Sequence, residues 1–100
     1  MPAAAPAVTI RYCTGCRWML RAQWYQGELL STFESELGAV ALVPSSGAMF
    51  RVEVTVGDDT HTVWNRKTDG GFPEITELKR RVRDLVAPEK LLGHSEGHRS

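Results

Sequence analysis

Apolar and polar residues alternate along two stretches of the chain, residues 8–12 and 50–56. This period of two predicts strands, because successive side chains of a strand point to opposite faces of its sheet. Residues 57–59 predict a turn into a returning strand over residues 60–65. Residues 39–43 are apolar without alternation, which is typical of a strand covered on both faces.

Two other stretches repeat their apolar residues every three or four positions, which predicts amphipathic helices. The first runs over residues 17–37, and Gly38 follows it as a helix C-terminal glycine. The second has Pro73 in its first turn and stops before Pro88. Residues 66–71 are polar and are predicted to form a loop.

The predicted order of elements is β-α-β-β-β-α. The first β-α-β unit is expected to be a parallel crossover and the last two strands an antiparallel hairpin. The fold class is therefore α/β (α+β), with a four-stranded mixed sheet covered by two helices. One hundred residues support a single domain, which we place at residues 7–88 between flexible tails at 1–6 and 89–100.

The charge balance bears on the partners of the protein. Lys and Arg number 12 and Asp and Glu also number 12, so the formal net charge is zero. Nucleic acid and anionic membranes select for basic proteins, so neither is expected as a partner. No apolar run approaches the ~20 residues that span a bilayer. The first six residues do not form a signal peptide, and we expect a cytoplasmic protein.

The candidate chemistry lies in the two cysteines of the chain, Cys13 and Cys16. They fall between the first predicted strand and the first predicted helix. The N-terminus of a helix carries unpaired N–H groups and partial positive charge, which lower a thiol pKa and favour the nucleophilic thiolate. The second thiol, one turn away, can then close a disulfide. The pair is therefore predicted to be a dithiol redox site.

Within this motif we expect Cys13 to be the exposed nucleophile and Cys16 to be partly covered by the start of the helix. Thr14 and Gly15 shape the turn between them. They are candidates for substrate contact, because glycine allows a partner to approach closely. Arg17 either stabilises the thiolate or is simply solvated.

The alternative for the cysteines is half of a metal site. A structural zinc ion takes four ligands, and the remaining candidates are His61, His94 and His98. His94 and His98 have a zinc-finger-like spacing, but they are far from the cysteines in the sequence. We therefore favour the redox pair and predict no metal ligand.

Four segments resemble the selenoprotein W/T/H family, also called the Rdx family, and its bacterial selenoprotein W-like members in particular. They are residues 10–16 (IRYCTGC), 43–47 (VPSSG), 50–52 (FRV) and 71–74 (GFPE). The resemblance implies a thioredoxin-like fold and a thiol-dependent redox role. Selenoprotein members carry selenocysteine where this chain has Cys16. Thioredoxin has a proline facing its cysteines, whereas Ala48 and Met49 stand at that place here.

Aromatic residues near the motif add candidates for substrate contact. Trp18 follows the cysteines directly, and Tyr25 is predicted to share its helix face. In thioredoxin-like folds the loop of Phe72 lies near the cysteines. Phe72 therefore either lines the site or forms a hydrophobic staple for the second helix. Trp24 and Trp64 are predicted to lie at the edge of the core.

A basic run on the second helix has two interpretations. Lys79, Arg80, Arg81 and Arg83 alternate with apolar residues that take the inward face. We therefore predict that the four charges form a solvated helix surface. Docking of an acidic partner is the alternative.

Together these features predict a thiol–disulfide redox protein that serves cell redox homeostasis through Cys13 and Cys16. Its partners would be protein thiols or disulfides, with glutathione or thioredoxin as the external electron donor and no bound cofactor. The alternative is a redox-gated adaptor that binds a protein without catalytic turnover. The sequence leaves open whether the protein is an enzyme.

Overall fold

The computed structural model describes residues 5–93. Its order of strands is the predicted one, and the helices are three instead of two. The elements are β1 (Ala7–Cys13), α1 (Met19–Thr32), β2 (Ala39–Ser45), β3 (Phe50–Val56), β4 (Asp59–Asn65), α2 (Arg66–Asp69) and α3 (Ile75–Val86).

The four strands form one mixed sheet in the order β2-β1-β3-β4. β1 is parallel to β2 and antiparallel to β3, and β3 and β4 form an antiparallel hairpin. The predicted mixed sheet is therefore confirmed. β1 is central, and its last residue, Cys13, lies beside both the end of β2 and the start of β3.

Helices α1 and α3 contact each other and the strands, so they form one layer against the sheet. The alternating residues of β1 and β3 make the buried face, with Ile10 and Val52 fully buried. Leu29 of α1 and Leu78 of α3 are also fully buried against them. Burial of each such side chain contributes roughly 1.5–3 kcal/mol. The apolar alternation thus places the core between one sheet face and two helices.

Strand β2 differs from the prediction. Residues 39 and 41 are exposed, because the helices α1 and α3 form one layer and leave the other face of β2 uncovered. β2 is also an edge strand of the sheet. It also continues through Pro44, which is paired with Tyr12 of β1. Proline has no N–H to donate, and an edge strand tolerates this because its outer side needs no ladder bond.

Helix α1 is shorter than predicted at both ends. It starts at Met19, after Arg17 adopts a left-handed φ of 62°. It ends at Thr32, and Gly38 does not cap it. Instead the Gly38 N–H donates to the Pro6 carbonyl at 2.8 Å, and a Cβ at Gly38 would lie 3.1 Å from Ala5 Cβ. A side chain at this position would therefore press against the N-terminal segment, which glycine allows to approach closely.

The predicted loop at residues 66–71 contains the short helix α2. The Asn65 side chain accepts from the Lys67 N–H at 3.0 Å and caps its start. Gly70 ends it in the left-handed conformation, with φ 84°. Helix α3 begins at Ile75, so Pro73 precedes it and does not lie in its first turn.

The predicted solvated surface of α3 is wrong for two of its four cations. Lys79 and Arg83 are only 5% and 8% exposed. Lys79 Nζ lies 2.9 Å from Glu28 Oε1 and so connects α3 to α1. Residues after the predicted boundary at Pro88 also pack on the domain, since Leu92 is 3% exposed.

Candidate functional site

The two cysteines lie on a turn at the end of the central strand. The Cys13 N–H donates to the Met49 carbonyl at 2.8 Å, and the Thr14 N–H donates to the Ser45 carbonyl at 3.1 Å. The Arg17 N–H closes the turn on the Thr14 carbonyl at 3.0 Å. The ends of β2 and β3 therefore hold the motif from both sides.

The exposure of the two thiols is the reverse of the predicted one. Cys13 is 4% exposed, and Cys16 is half-buried. Cys13 is covered because it is still part of β1, which has neighbours on both edges. Cys16 has left the strand, and Thr14 and Gly15 beside it are exposed. Apart from its two chain neighbours, no atom of residues 5–93 lies within 4 Å of a Cβ built on Gly15, so this side of the turn is open.

The two thiols shift each other's pKa in opposite directions. A hydrogen bond from the Cys16 thiol lowers the pKa of Cys13, helped by the backbone N–H groups of Ala48, Cys16 and Gly15 and opposed by burial. Donation to the Cys13 thiolate raises the pKa of Cys16, as do burial and the negative charge of Cys13. Cys13 is therefore the sulfur that ionises first.

These N–H groups belong to the turn and to the β2–β3 connection, not to the first turn of α1. Ala48 adopts a left-handed φ of 58°, which is uncommon for a residue with a Cβ. Its N–H lowers the pKa of both cysteines. A proline at this place has no N–H to donate. The sequence prediction recognised the position of Ala48 but not its role, because alanine carries no signal for a left-handed conformation.

Aromatic rings connect the motif to the core. Trp18 meets Phe72 edge to face with ring centroids 4.9 Å apart, and Phe72 meets the buried Phe50 at 5.0 Å. The Tyr25 hydroxyl donates to the Pro73 carbonyl at 2.5 Å, and Trp64 Nε1 donates to the Gly71 carbonyl at 2.8 Å. Phe72 is therefore fixed on both sides, close to Trp18.

Two arginines lie over these rings. The Arg21 guanidinium carbon is 4.1 Å from the centroid of Phe72, and that of Arg66 is 4.9 Å from the centroid of Trp18. The positive charge of Arg66 also lowers the pKa of Cys16. Sequence reasoning missed Arg66, because it is 50 positions from Cys16 and only the sheet brings it near. Arg17, the predicted candidate, is exposed.

The other sequence candidates lie as follows. Trp64 is 9% exposed and belongs to the core, as predicted. Trp24 is 52% exposed, so its predicted place at the edge of the core is wrong. Residues 5–93 contain no group of three or more His, Cys, Asp or Glu residues that could hold a metal ion. His94 and His98 lie outside the described residues.

Residues 7–84 match the sequence profile of the Rdx family. The chain belongs to the Rdx family. This family is generally associated with redox functions. No curated protein matches the chain.

Two solved structures show the same fold at high identity. A protein from Bordetella parapertussis is 51% identical, with a TM-score of 0.74 over 81% of this chain and 98% of that chain. A selenoprotein W-related protein from Vibrio cholerae is 45% identical, with a TM-score of 0.72 over 82% of this chain and 98% of that chain. The Rdx chain described here thus has the thioredoxin-like fold predicted from its sequence. No helix within residues 5–93 is long and apolar enough to cross a membrane.

Proposed function

We propose that this Rdx protein is a thiol–disulfide redox protein in which Cys13 and Cys16 cycle between a dithiol and a disulfide. The observation that carries the proposal is the pair of free thiols three positions apart on the turn at the end of β1, which the backbone bonds to Met49 and Ser45 hold in place. The pKa values of the two thiols are shifted in opposite directions. A low-pKa thiol beside a second thiol that retains its proton provides both a nucleophile and a resolving group.

The reaction begins at Cys13. Its thiolate attacks one sulfur of a partner disulfide, which forms a mixed disulfide and releases the other partner sulfur as a thiolate that takes a proton from water. Cys16 then loses its proton and attacks the Cys13 sulfur. The second partner sulfur leaves as a thiol, so the partner gains two electrons and the Cys13–Cys16 pair loses them.

In the proposed reaction Cys16 reacts second, and the causes of its pKa shift support this order. Two causes that raise its pKa, the hydrogen bond to Cys13 and the negative charge of Cys13, disappear once Cys13 is in a disulfide. The Ala48 N–H and the charge of Arg66 remain and still favour the Cys16 thiolate. Formation of the mixed disulfide therefore activates the thiol that resolves it.

The surroundings of the cysteines support a protein partner. Thr14 and Gly15 are exposed beside the sulfurs, and Trp18 and Phe72 provide an apolar surface next to them. We propose these four residues as substrate contacts. An external thiol, glutathione or the dithiol of thioredoxin, would reduce the disulfide again, and no step requires a bound cofactor.

The test is a redox titration of the purified protein in graded glutathione buffers, with free thiols counted by alkylation and mass. We expect a single two-electron transition between about −180 and −300 mV, the range of thiol oxidoreductases and of the cytosol. The Cys13→Ser/Cys16→Ser variant is the control and should show no transition. Absence of an intramolecular disulfide at every potential would refute the proposed function.

The lowered pKa of Cys13 predicts that the alkylation rate of this thiol depends on pH, and that the residue at position 16 sets the midpoint of that dependence. In Cys16→Ser the hydroxyl still donates to the Cys13 thiolate, whereas in Cys16→Ala that bond is lost. We expect the rate of iodoacetamide alkylation to fall with decreasing pH in both variants. The midpoint of this fall should lie below the ordinary pKa of a thiol in Cys16→Ser, and it should be higher in Cys16→Ala than in Cys16→Ser. Equal midpoints would contradict a role for this hydrogen bond.

A redox-gated adaptor is the second candidate. Trp24 is 52% exposed on α1, close to the motif, and an exposed tryptophan is typical of binding surfaces. In this case oxidation of the cysteines changes the affinity for a protein and no turnover is needed. Partner capture that is the same for wild type, oxidised or reduced, and for Cys13→Ser/Cys16→Ser would eliminate this candidate.

A further inference from the structure

A cleft of about 450 Å³ lies beside the cysteine motif, on the outer side of the first two turns of α1. Its lining residues are Arg17, Trp18, Leu20, Arg21, Trp24 and Tyr25. Because Arg17 directly follows Cys16, the cleft starts where the reactive turn ends. A protein segment bound to the sulfurs can therefore continue into it.

The apolar part of the cleft is unusually open to solvent. Leu20 is 71% exposed and Trp24 is 52% exposed, and they lie one turn apart on α1. Trp18 extends this surface to the aromatic contact with Phe72. Large exposed apolar side chains that adjoin one another mark a contact surface for an apolar group of a partner.

The polar part of the cleft is basic. Its two charged residues are Arg17 and Arg21, and no acidic residue lines it or lies in the first turn of α1. Five other arginines of residues 5–93 pair with carboxylates, namely Arg11, Arg51, Arg80, Arg81 and Arg83. Neither cleft arginine has such a pair within these residues. Their charge is thus available to a carboxylate of a partner.

On the basis of the proposed function, we propose that the cleft selects which protein segments react with the cysteines. It binds protein segments in which an acidic residue and a large apolar residue lie a few positions from the reacting cysteine. The carboxylate pairs with Arg17 and Arg21, and the apolar side chain packs on Leu20 and Trp24. Segments with lysine at the acidic position are disfavoured, although the protein as a whole has no net charge.

The test uses peptides that carry one cysteine as a mixed disulfide with thionitrobenzoate. Attack by Cys13 on the peptide sulfur forms the protein–peptide disulfide and releases the yellow thionitrobenzoate anion, which is followed by stopped flow. Two peptides have Glu or Lys at the same position beside a Leu, and a third has Glu with Ser in place of the Leu. The free reagent dithionitrobenzoate measures reactivity without a peptide.

In Cys16→Ser, which stops at the mixed disulfide, we expect the Glu peptide to react about tenfold faster than the Lys peptide at low salt, and the ratio to shrink at high salt. Arg17→Glu in the same background should reverse this preference, because it replaces a positive charge of the cleft by a negative one at an exposed position. The matched control Arg80→Glu, outside the cleft, should leave it unchanged. With Trp24→Ser added, the Glu peptide that contains Leu should react no faster than the Glu peptide that has Ser in place of the Leu.

Equal rates for the Glu and Lys peptides, with rapid reaction of dithionitrobenzoate, would overturn the inference and leave the proposed function intact. No reaction with any of these disulfides would overturn both. A dimer that forms in the wild type and is lost in Trp24→Ser would assign the cleft to a second copy of the chain, which also overturns the inference.

Discussion

Replacement of Cys13 by serine is expected to abolish disulfide exchange, whereas Cys16→Ser is expected to accumulate a covalent adduct with the partner. Cys13 ionises first, and its thiolate is the attacking group in the proposed reaction. Without Cys16 the mixed disulfide has no internal thiol to resolve it. Incubation with a disulfide substrate, acid quenching and intact mass measurement should show one adduct on Cys16→Ser and none on Cys13→Ser.

The same experiment shows whether ionisation or exposure of the thiol determines which cysteine attacks, because these two properties favour different cysteines. Cys13 has the lower pKa, but Cys16 is the more exposed thiol. An adduct on Cys13→Ser with none on Cys16→Ser would show that access outweighs ionisation and would reverse the two roles. Cys13→Ser/Cys16→Ser is the control, because it retains the fold-forming backbone bonds of the turn and has no thiol.

Phe50→Ala is expected to lower the free energy of unfolding by about 3–5 kcal/mol, the range for large-to-small changes of buried aromatic residues. Phe50 is 1% exposed, and its ring centroid lies 5.4 Å from that of Tyr25 and 5.0 Å from that of Phe72. Small domains have roughly 5–15 kcal/mol of stability in total, so this loss is a large part of it. Urea denaturation followed by circular dichroism measures the change.

The control for this prediction is Trp24→Ala, since Trp24 is an aromatic residue of the same cluster that is 52% exposed. Its loss should cost less than about 1 kcal/mol. Similar effects of the two substitutions would contradict the assignment of Phe50 as the ring that joins the site to the core. Because Phe50 supports Phe72, Phe50→Ala should also react more slowly than the wild type with peptide disulfides. Its rate with dithionitrobenzoate should fall less.

Local sequence patterns were sufficient to predict those elements that bury one face and expose the other along their whole length. The alternation in residues 50–56 predicted β3 with its bounds, because a strand with one buried face alternates regardless of its neighbours. The segments at residues 10–16, 43–47, 50–52 and 71–74, together with the order of the elements, were sufficient to predict the family and its fold.

The C-terminal boundary of α1 and the edge position of β2 were not predicted, because they depend on contacts between distant segments such as that of Gly38 with Pro6. The helix α2 was not predicted because its segment is short and polar, although its caps, Asn65 and Gly70, are local.

The sequence by itself determined the order of the strands along the chain, the core faces of β1 and β3, and the position of Cys13 and Cys16 within one turn of each other. Only the tertiary structure decided the electrostatics of that pair. It buried Cys13, and it brought the N–H of Ala48 and the charge of Arg66 to the sulfurs. The physical reason is the distance along the sequence over which each property is set. Hydrophobic periodicity depends on residues of one segment, whereas a thiol pKa depends on groups that only the sheet brings together.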